Sequence, residues 1–123
     1  MTKIMVVDDN VEFTTLYKEY LRMAGFDAIA ENESSKAMEQ AHATRPDLIL
    51  LDLMMPEPDG FQLCRMLRAD PNFRRTPIII VTALNDEDSR IVALGAGAND
   101  YLTKPFHIEE LRLRINLLLE NLK

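Results

Sequence analysis

Several features that would assign the chain to a particular class of protein are missing from its sequence. Its one cysteine, Cys64, is expected in the core, excludes an internal disulfide and suits a reducing cytoplasm. No apolar run approaches the roughly 20 residues of a membrane span, and the start turns acidic too early for a signal peptide. Basic residues are not in excess, and the net charge of −6 argues against nucleic acid as this domain's own partner. We therefore expect a cytoplasmic domain without a membrane or nucleic-acid partner.

Length and composition are those of one ordinary globular domain, expected to span residues 1–123. Of the 123 residues, 47% are apolar and 28% are charged, which excludes a disordered chain. No internal repeat, low-complexity stretch or linker interrupts the sequence.

Short apolar runs alternate with segments of helical periodicity. Strands are predicted at residues 3–7, 27–30, 48–51, 77–81 and 100–103, and each is followed by a helix. The first, third and fourth are apolar on both faces, which is typical of a parallel sheet covered by helices. The pattern predicts an α/β fold in which a doubly wound sheet of five parallel strands carries helices on both faces.

The helical periodicity also predicts which side chains face the core. In the first helix the inward set is Phe13, Leu16, Tyr17, Tyr20, Leu21 and Ala24. Ser34 is predicted to cap the second helix, and Ile91 and Leu94 to face inward from a weaker helix over 87–95. The last helix has a core stripe, Ile108, Leu111, Ile115, Leu118 and Leu122. Its second apolar line, Leu113 and Leu117, either widens the buried face or forms a contact surface.

Polar side chains follow four of the five predicted strands: Asp8 and Asp9, Asp52, Thr82, and Lys104. The carboxyl ends of parallel strands lie on one edge of a sheet, so these groups can converge there. Three carboxylates in one place repel each other and suit a hard cation such as Mg²⁺. A hydroxyl and an ammonium group suit the oxygens of a phosphoryl group, which a carboxylate can accept as an aspartyl phosphate.

With these motifs the sequence resembles a response-regulator receiver domain of two-component signalling, over residues 3–122. The motifs that carry the resemblance are Val7-Asp8-Asp9, Leu51-Asp52 with Met55-Pro56 and Asp59-Gly60, Val81-Thr82-Ala83, Gly95-Ala96 with Asp100-Tyr101, and Lys104-Pro105-Phe106. The resemblance implies a flavodoxin-like strand order, 2-1-3-4-5. It also implies a cis peptide bond before Pro105.

The resemblance further implies a phosphoacceptor and a metal site. Asp52 is the expected phosphoacceptor. The expected Mg²⁺ ligands are Asp9, Asp52 and the backbone carbonyl of Met54, with Asp8 assisting through water. The Met54 side chain departs from many relatives, which carry a polar residue there, and it is expected to overhang the phosphoryl site.

A switch and a set of partners are implied as well. Thr82 is expected to bond a phosphoryl oxygen after activation, Lys104 to pair with the carboxylate or phosphate, and Tyr101 to turn inward when Thr82 moves. The surface made by the fourth helix, the fifth strand and the fifth helix is expected to change, with a homodimer or output domain as the responding partner. The phosphoryl donor is expected to be a histidine kinase or a histidine phosphotransfer protein. Such a domain is a signalling module that assists its own phosphorylation and dephosphorylation, and is not an enzyme.

Two other functions compete with this one. A Mg²⁺-dependent phosphatase with an aspartyl nucleophile usually has a second acid two residues after the nucleophile, where this chain has Met54. A receiver-like interaction module that is never phosphorylated typically loses an acid, the acceptor, the hydroxyl or the lysine, and this chain keeps all four. Asp52 could also simply cap the following turn or helix, although residues 56–60 already supply turn chemistry.

Overall fold

The computed structural model describes residues 1–121, and in them strands and α-helices alternate. The strands are β1 (Lys3–Val7), β2 (Asp27–Glu31), β3 (Leu48–Leu51), β4 (Ile78–Thr82) and β5 (Asp100–Thr103). The helices are α1 (Val11–Met23), α2 (Ala37–Thr44), α3 (Gly60–Ala69), α4 (Glu87–Gly95) and α5 (Ile108–Glu120). All the predicted elements are therefore present, with ends that differ from the prediction by one or two residues.

The five strands form one parallel sheet in the order β2-β1-β3-β4-β5. This confirms the predicted α/β fold and the strand order. The order reverses between β1 and β3, so the connections on either side of that point run in opposite directions and leave a crevice at the carboxyl edge. Ligands of open α/β sheets bind in such a crevice.

Alternate residues of the central strands pack into two separate cores. In β3, Ile49 and Leu51 join the core under α2, α3 and α4, whereas Leu48 and Leu50 join the core under α1 and α5. Successive strand side chains point to opposite faces, which explains why an unbroken apolar run is needed. Cys64 lies fully buried in the first of these cores, as expected.

Four expectations about individual side chains are wrong. Leu16 and Tyr20 of α1 are 44% and 37% exposed, and the buried residues of this helix are Thr14 and Leu21. Ile91 is 57% exposed, because α4 packs on the sheet through the small side chain of Ala93, on the opposite side of the helix. Ser34 caps no helix: it begins a short 3₁₀ turn before α2, and its buried hydroxyl donates to the Pro56 carbonyl at 2.8 Å.

Helix α5 shows the predicted core stripe, and its second apolar line is exposed. Leu111 and Ile115 are fully buried, while Leu122 lies outside the described residues. Leu113 and Leu117 are 59% and 51% exposed, so they do not widen the buried face. Within residues 1–121, no helix has the length and apolar character that crossing a membrane requires.

Candidate functional site

The polar residues at the strand ends meet at the carboxyl edge of the sheet. Asp8 follows β1, Asp52 follows β3, Thr82 ends β4 and Lys104 follows β5. Asp52 is held by a hydrogen bond from its backbone N–H to the Val7 carbonyl (3.0 Å), and Lys104 by one to the Thr82 carbonyl (2.7 Å). The backbone thus aims side chains from four neighbouring strands into one crevice.

Three carboxylates lie close together in this crevice. One oxygen each from Asp8, Asp9 and Asp52 can be chosen so that all lie within 4.8 Å of one another. Asp8 and Asp52 are buried, whereas Asp9 is exposed. Burying like charges side by side is costly, and oxygen donors of this kind are those that Mg²⁺ prefers. The donor set therefore fits the expected metal.

Lys104 supplies positive charge between two of these acids. Its Nζ donates to Asp8 Oδ2 at 2.7 Å and to Asp52 Oδ2 at 3.3 Å. The same ammonium group lies 3.9 Å from the centre of the Phe13 ring, a cation–π distance. Phe13 had been expected only as a core residue of α1. Its position on the site could not be read from helical spacing.

The charge state of Asp8 is shifted by its surroundings. Burial raises the pKa of the Asp8 carboxyl above its usual value, and the hydrogen bond from Lys104 opposes that rise. The neighbouring charge of Asp52 raises the Asp8 pKa further, although less than burial does. A cation that approaches Asp8 therefore favours its ionised form.

The turn after β3 fixes the Asp52 carboxylate and leaves the capping of α3 to another residue. Asp59 caps α3, accepting the N–H of Gln62 at 2.9 Å in a capping box, so Asp52 does not cap that helix. Asp52 Oδ1 does accept an N–H of the following turn, that of Met54, at 3.2 Å. The Met54 side chain is 54% exposed and points away from the core.

Gly60 is required where α3 begins beside the site. A Cβ at this position would lie 2.2 Å from the backbone oxygen of Asp52 and 2.5 Å from the Leu53 Cα. Its N–H also donates to the Leu53 carbonyl at 3.1 Å. Any side chain at residue 60 would push the strand end that carries Asp52 out of place.

Tyr101 and Thr82 are joined through the loop that follows β4. The Tyr101 hydroxyl donates to the Leu84 carbonyl at 2.7 Å, and the Leu84 N–H donates to Thr82 Oγ1 at 3.4 Å. The Tyr101 ring is buried in this arrangement, and burial raises the pKa of its hydroxyl. Tyr101 thus already occupies the inward position that was expected to follow a movement of Thr82. Sequence reasoning missed Leu84, because its contribution is a backbone group.

The peptide bond between Lys104 and Pro105 is cis, in agreement with the expectation. A second cis bond, between Glu57 and Pro58, lies in the loop after Asp52 and was not expected.

Fold and site together define a doubly wound α/β domain that presents a carboxylate, two further acids and a lysine at the switch point of its sheet. The chain belongs to the response regulator receiver domain family, whose model matches residues 4–116. It is thus a receiver domain of two-component response regulators. A role in accepting a phosphoryl group fits both the fold and the site.

Named relatives and solved structures agree with this assignment. The chain is 40% identical to the DNA-binding dual master transcriptional regulator RpaA of Synechocystis, over 97% of this chain and 49% of the relative. It is 38% identical to the PhoP alkaline phosphatase synthesis regulator of Bacillus subtilis, over 95% and 48%. The chain spans about half the length of these relatives. The BeF₃-activated N-terminal receiver domain of Klebsiella pneumoniae RstA superposes with a TM-score of 0.90 at 36% identity, covering 96% of this chain and 98% of that one.

Proposed function

We propose that Asp52 is the residue that accepts the phosphoryl group, with a phosphohistidine of a histidine kinase or of a histidine phosphotransfer protein as the donor. An Asp52 oxygen attacks phosphorus, the N–P bond of the donor breaks, and the imidazole leaves with the electron pair of that bond. Residues 1–123 act in this proposal as one receiver domain in the cytoplasm.

The observation that carries the proposal is how the two Asp52 oxygens are held. Oδ1 accepts the Met54 N–H, and Oδ2 faces the Lys104 ammonium group at 3.3 Å. These contacts orient the carboxylate while its charge is only partly neutralised, since Lys104 is closer to Asp8. Orientation of a nucleophile and positive charge beside it are the two contributions that phosphoryl transfer needs.

The acids Asp8 and Asp9 provide, with Asp52 and the Met54 carbonyl, the proposed Mg²⁺ site. When bound, Mg²⁺ supplies positive charge that offsets the charge of the phosphoryl oxygens. Thr82 offers a hydroxyl and Lys104 an ammonium group to those oxygens, which are strong acceptors. In this proposal the domain assists its own phosphorylation and dephosphorylation and has no separate substrate.

The signal leaves the site through Thr82, Leu84 and Tyr101. The Thr82 hydroxyl can donate to a phosphoryl oxygen only by moving toward it, and this movement disturbs the weak 3.4 Å bond that the hydroxyl accepts from the Leu84 N–H. The Leu84 carbonyl in turn holds Tyr101. Phosphorylation therefore changes which positions the Leu84 loop and the Tyr101 side chain occupy. Both lie next to the surface formed by α4, β5 and α5.

That surface is proposed to bind a second copy of the chain or an output domain. Four large apolar side chains of its helices are exposed: Ile91, Val92, Leu113 and Leu117. Apolar side chains on two helices of the responding surface are the type of contact that association buries.

The test is phosphorylation by a small-molecule donor. The chain is incubated with acetyl phosphate and Mg²⁺, and its intact mass is measured beside an Asp52→Asn control. One phosphoryl adduct on the wild-type chain alone supports the proposal. Free phosphate released in many turnovers without an adduct would favour the phosphatase alternative, and no reaction would favour the interaction module. Neither alternative is favoured by the family or by the site.

A further inference from the structure

The amino-terminal edge of the sheet, opposite to Asp52, carries a second polar cleft. A cavity of about 400 Å³ lies between the segment that precedes β3 and the loop that joins α3 to β4. The residues that line it include Arg74, Arg75 and three prolines, Pro46, Pro71 and Pro77, and of these prolines Pro71 is exposed whereas Pro46 and Pro77 are buried. The volume falls within the range of sites for small molecules, about 300–1,000 Å³.

Arg74 and Arg75 bring unneutralised positive charge to this cleft. Both are exposed, and within residues 1–121 neither guanidinium forms an ion pair or a side-chain hydrogen bond. Arg114, in contrast, pairs with Asp100 and Glu110.

The loop that carries the two arginines is held rigidly by a third. Arg68 Nη1 donates to the carbonyls of Phe73 and Thr76, at 2.8 and 2.7 Å, and thus fixes the backbone on both sides of Arg74 and Arg75. The same side chain donates to the Gly97 carbonyl at 2.9 Å. A site fixed before binding loses less conformational entropy when a ligand arrives.

The other charges at the cleft leave it basic. Asp47 is the acid in its wall, and its Oδ2 already accepts the backbone N–H of Lys3 at 2.8 Å. Arg45 borders the cleft, and its guanidinium donates to Asn72 Oδ1 at 3.0 Å. Arg45 holds a left-handed backbone conformation, φ 51°, at the end of α2, which a non-glycine residue adopts at some cost.

We propose that this cleft binds a small phosphate-bearing molecule, with Arg74 and Arg75 as the groups that hold its phosphate oxygens. Guanidinium groups match phosphate with two parallel hydrogen bonds, and they stay charged at every physiological pH. The exposed Pro71 offers apolar surface to the rest of such a molecule. The site lies at the opposite edge of the sheet from Asp52, so it is independent of the phosphoacceptor role.

The test is an NMR titration of the amide resonances of the full chain with pyrophosphate, with ADP and with adenosine. Metal is left out, so that the acidic crevice does not recruit phosphate. We expect pyrophosphate and ADP to shift the amides of residues 72–76 and of Asp47, with a Kd near or below about 1 mM. Tighter binding of ADP than of pyrophosphate would show that the apolar surface of Pro71 also contributes.

Two variants separate a specific site from general attraction. Arg74→Ser with Arg75→Ser should weaken pyrophosphate binding by about tenfold or more, equivalent to about 1.4 kcal/mol. Arg65→Ser removes an equally exposed arginine from α3 and should leave the binding unchanged. The proposal is overturned by equal affinities in the wild type and the double variant, by shifts scattered over all exposed arginines, or by binding of a polyglutamate peptide without binding of pyrophosphate.

Discussion

Lys104 Nζ lies 2.7 Å from Asp8 Oδ2 and 3.3 Å from Asp52 Oδ2. Lys104 is therefore held more closely by an acid that is proposed to bind metal than by the proposed phosphoacceptor. A phosphoryl group on Asp52 adds roughly −1.5 to −2 charge at neutral pH and so competes with Asp8 for this ammonium group. We infer that phosphorylation draws Lys104 away from Asp8.

Removing the ammonium group of Lys104 tests its role as the counter-charge of Asp8 and Asp52. Lys104→Met keeps an apolar stem beside Phe13 but leaves two buried carboxylates without a counter-charge. Without metal, its free energy of unfolding at neutral pH should fall by about 1–3 kcal/mol relative to wild type. Urea unfolding measures this change, and Lys36→Met, which removes a lysine that is 61% exposed, should leave stability nearly unchanged.

The same variant tests how the signal is transmitted. After phosphorylation of Asp52, Lys104→Met should show smaller chemical-shift changes around Tyr101 than the wild type. If the two proteins show the same changes there, Lys104 does not couple the phosphoryl group to the rest of the domain.

The raised pKa of Asp8 predicts a dependence of stability on pH. An acid whose pKa is higher in the folded state binds more protons there than in the unfolded chain, so its ionisation favours unfolding. In the absence of metal, the contribution of Asp8 to the free energy of unfolding should decrease as pH rises from the pKa of Asp8 in the unfolded chain, near 3.8, through its pKa in the folded state.

Other acids titrate in the same pH range, so the experiment compares the wild type with Asp8→Asn. The gap between their unfolding curves should shift in favour of Asp8→Asn with rising pH. If the difference in free energy of unfolding between the two proteins stays constant from about pH 4 to about pH 7, the pKa of Asp8 is not raised in the folded state.

Asp9 is the exposed member of the acidic group, so its loss should affect metal binding more than folding. In thermal melts, Mg²⁺ should raise the Tm of the wild type by stabilising the folded state, and Asp9→Ala should lose most of that rise. The metal-free Asp9→Ala protein should be as stable as wild type or more so, because one repulsive charge is gone. Glu12→Ala, which removes another exposed acid near the start of α1, is the control. The same Mg²⁺ effect in Asp9→Ala as in wild type would exclude Asp9 as a ligand.

The strand ends made most of this site predictable. An unbroken apolar run that terminates in a charge, as Leu51-Asp52 does, indicates both a buried strand and the edge where it emerges. What could not be predicted is which partner each side chain finds across the fold. The preference of Lys104 for Asp8, the bond from Ser34 to the Pro56 carbonyl and the 2.7 Å pair of His42 with Asp70 all join distant parts of the chain.

Helix faces were predicted less well than strands, for a related reason. Helical spacing shows which residues share a side of a helix, but not how much of that side the sheet covers. α4 approaches through Ala93 and leaves Ile91 exposed, because a small residue permits close packing. The exposure of Leu113 and Leu117 excludes one of the two uses proposed for them, a wider buried face, and leaves the contact surface as a proposal.

Those two leucines provide a test of the responding surface. Sedimentation with beryllofluoride, a mimic of the phosphoryl group, should show more self-association than sedimentation without it, by a coupling of about 1–3 kcal/mol. Leu113→Ser with Leu117→Ser should abolish the increase, whereas Met23→Ser, at an exposed residue on α1, should retain it. If the wild type stays monomeric in both conditions at high concentration, self-association is excluded and the surface serves another partner.

The central claim is that the phosphoryl group resides on Asp52, and trapping the adduct tests it most directly. The chain is phosphorylated with acetyl phosphate and Mg²⁺ and then treated with borohydride, which reduces an acyl phosphate to the alcohol. Peptide mapping by mass spectrometry should find homoserine at residue 52, and Asp52→Asn should give no such product. Homoserine at residue 8 or 9 in the wild-type chain, or an undiminished adduct in Asp52→Asn, would contradict the account.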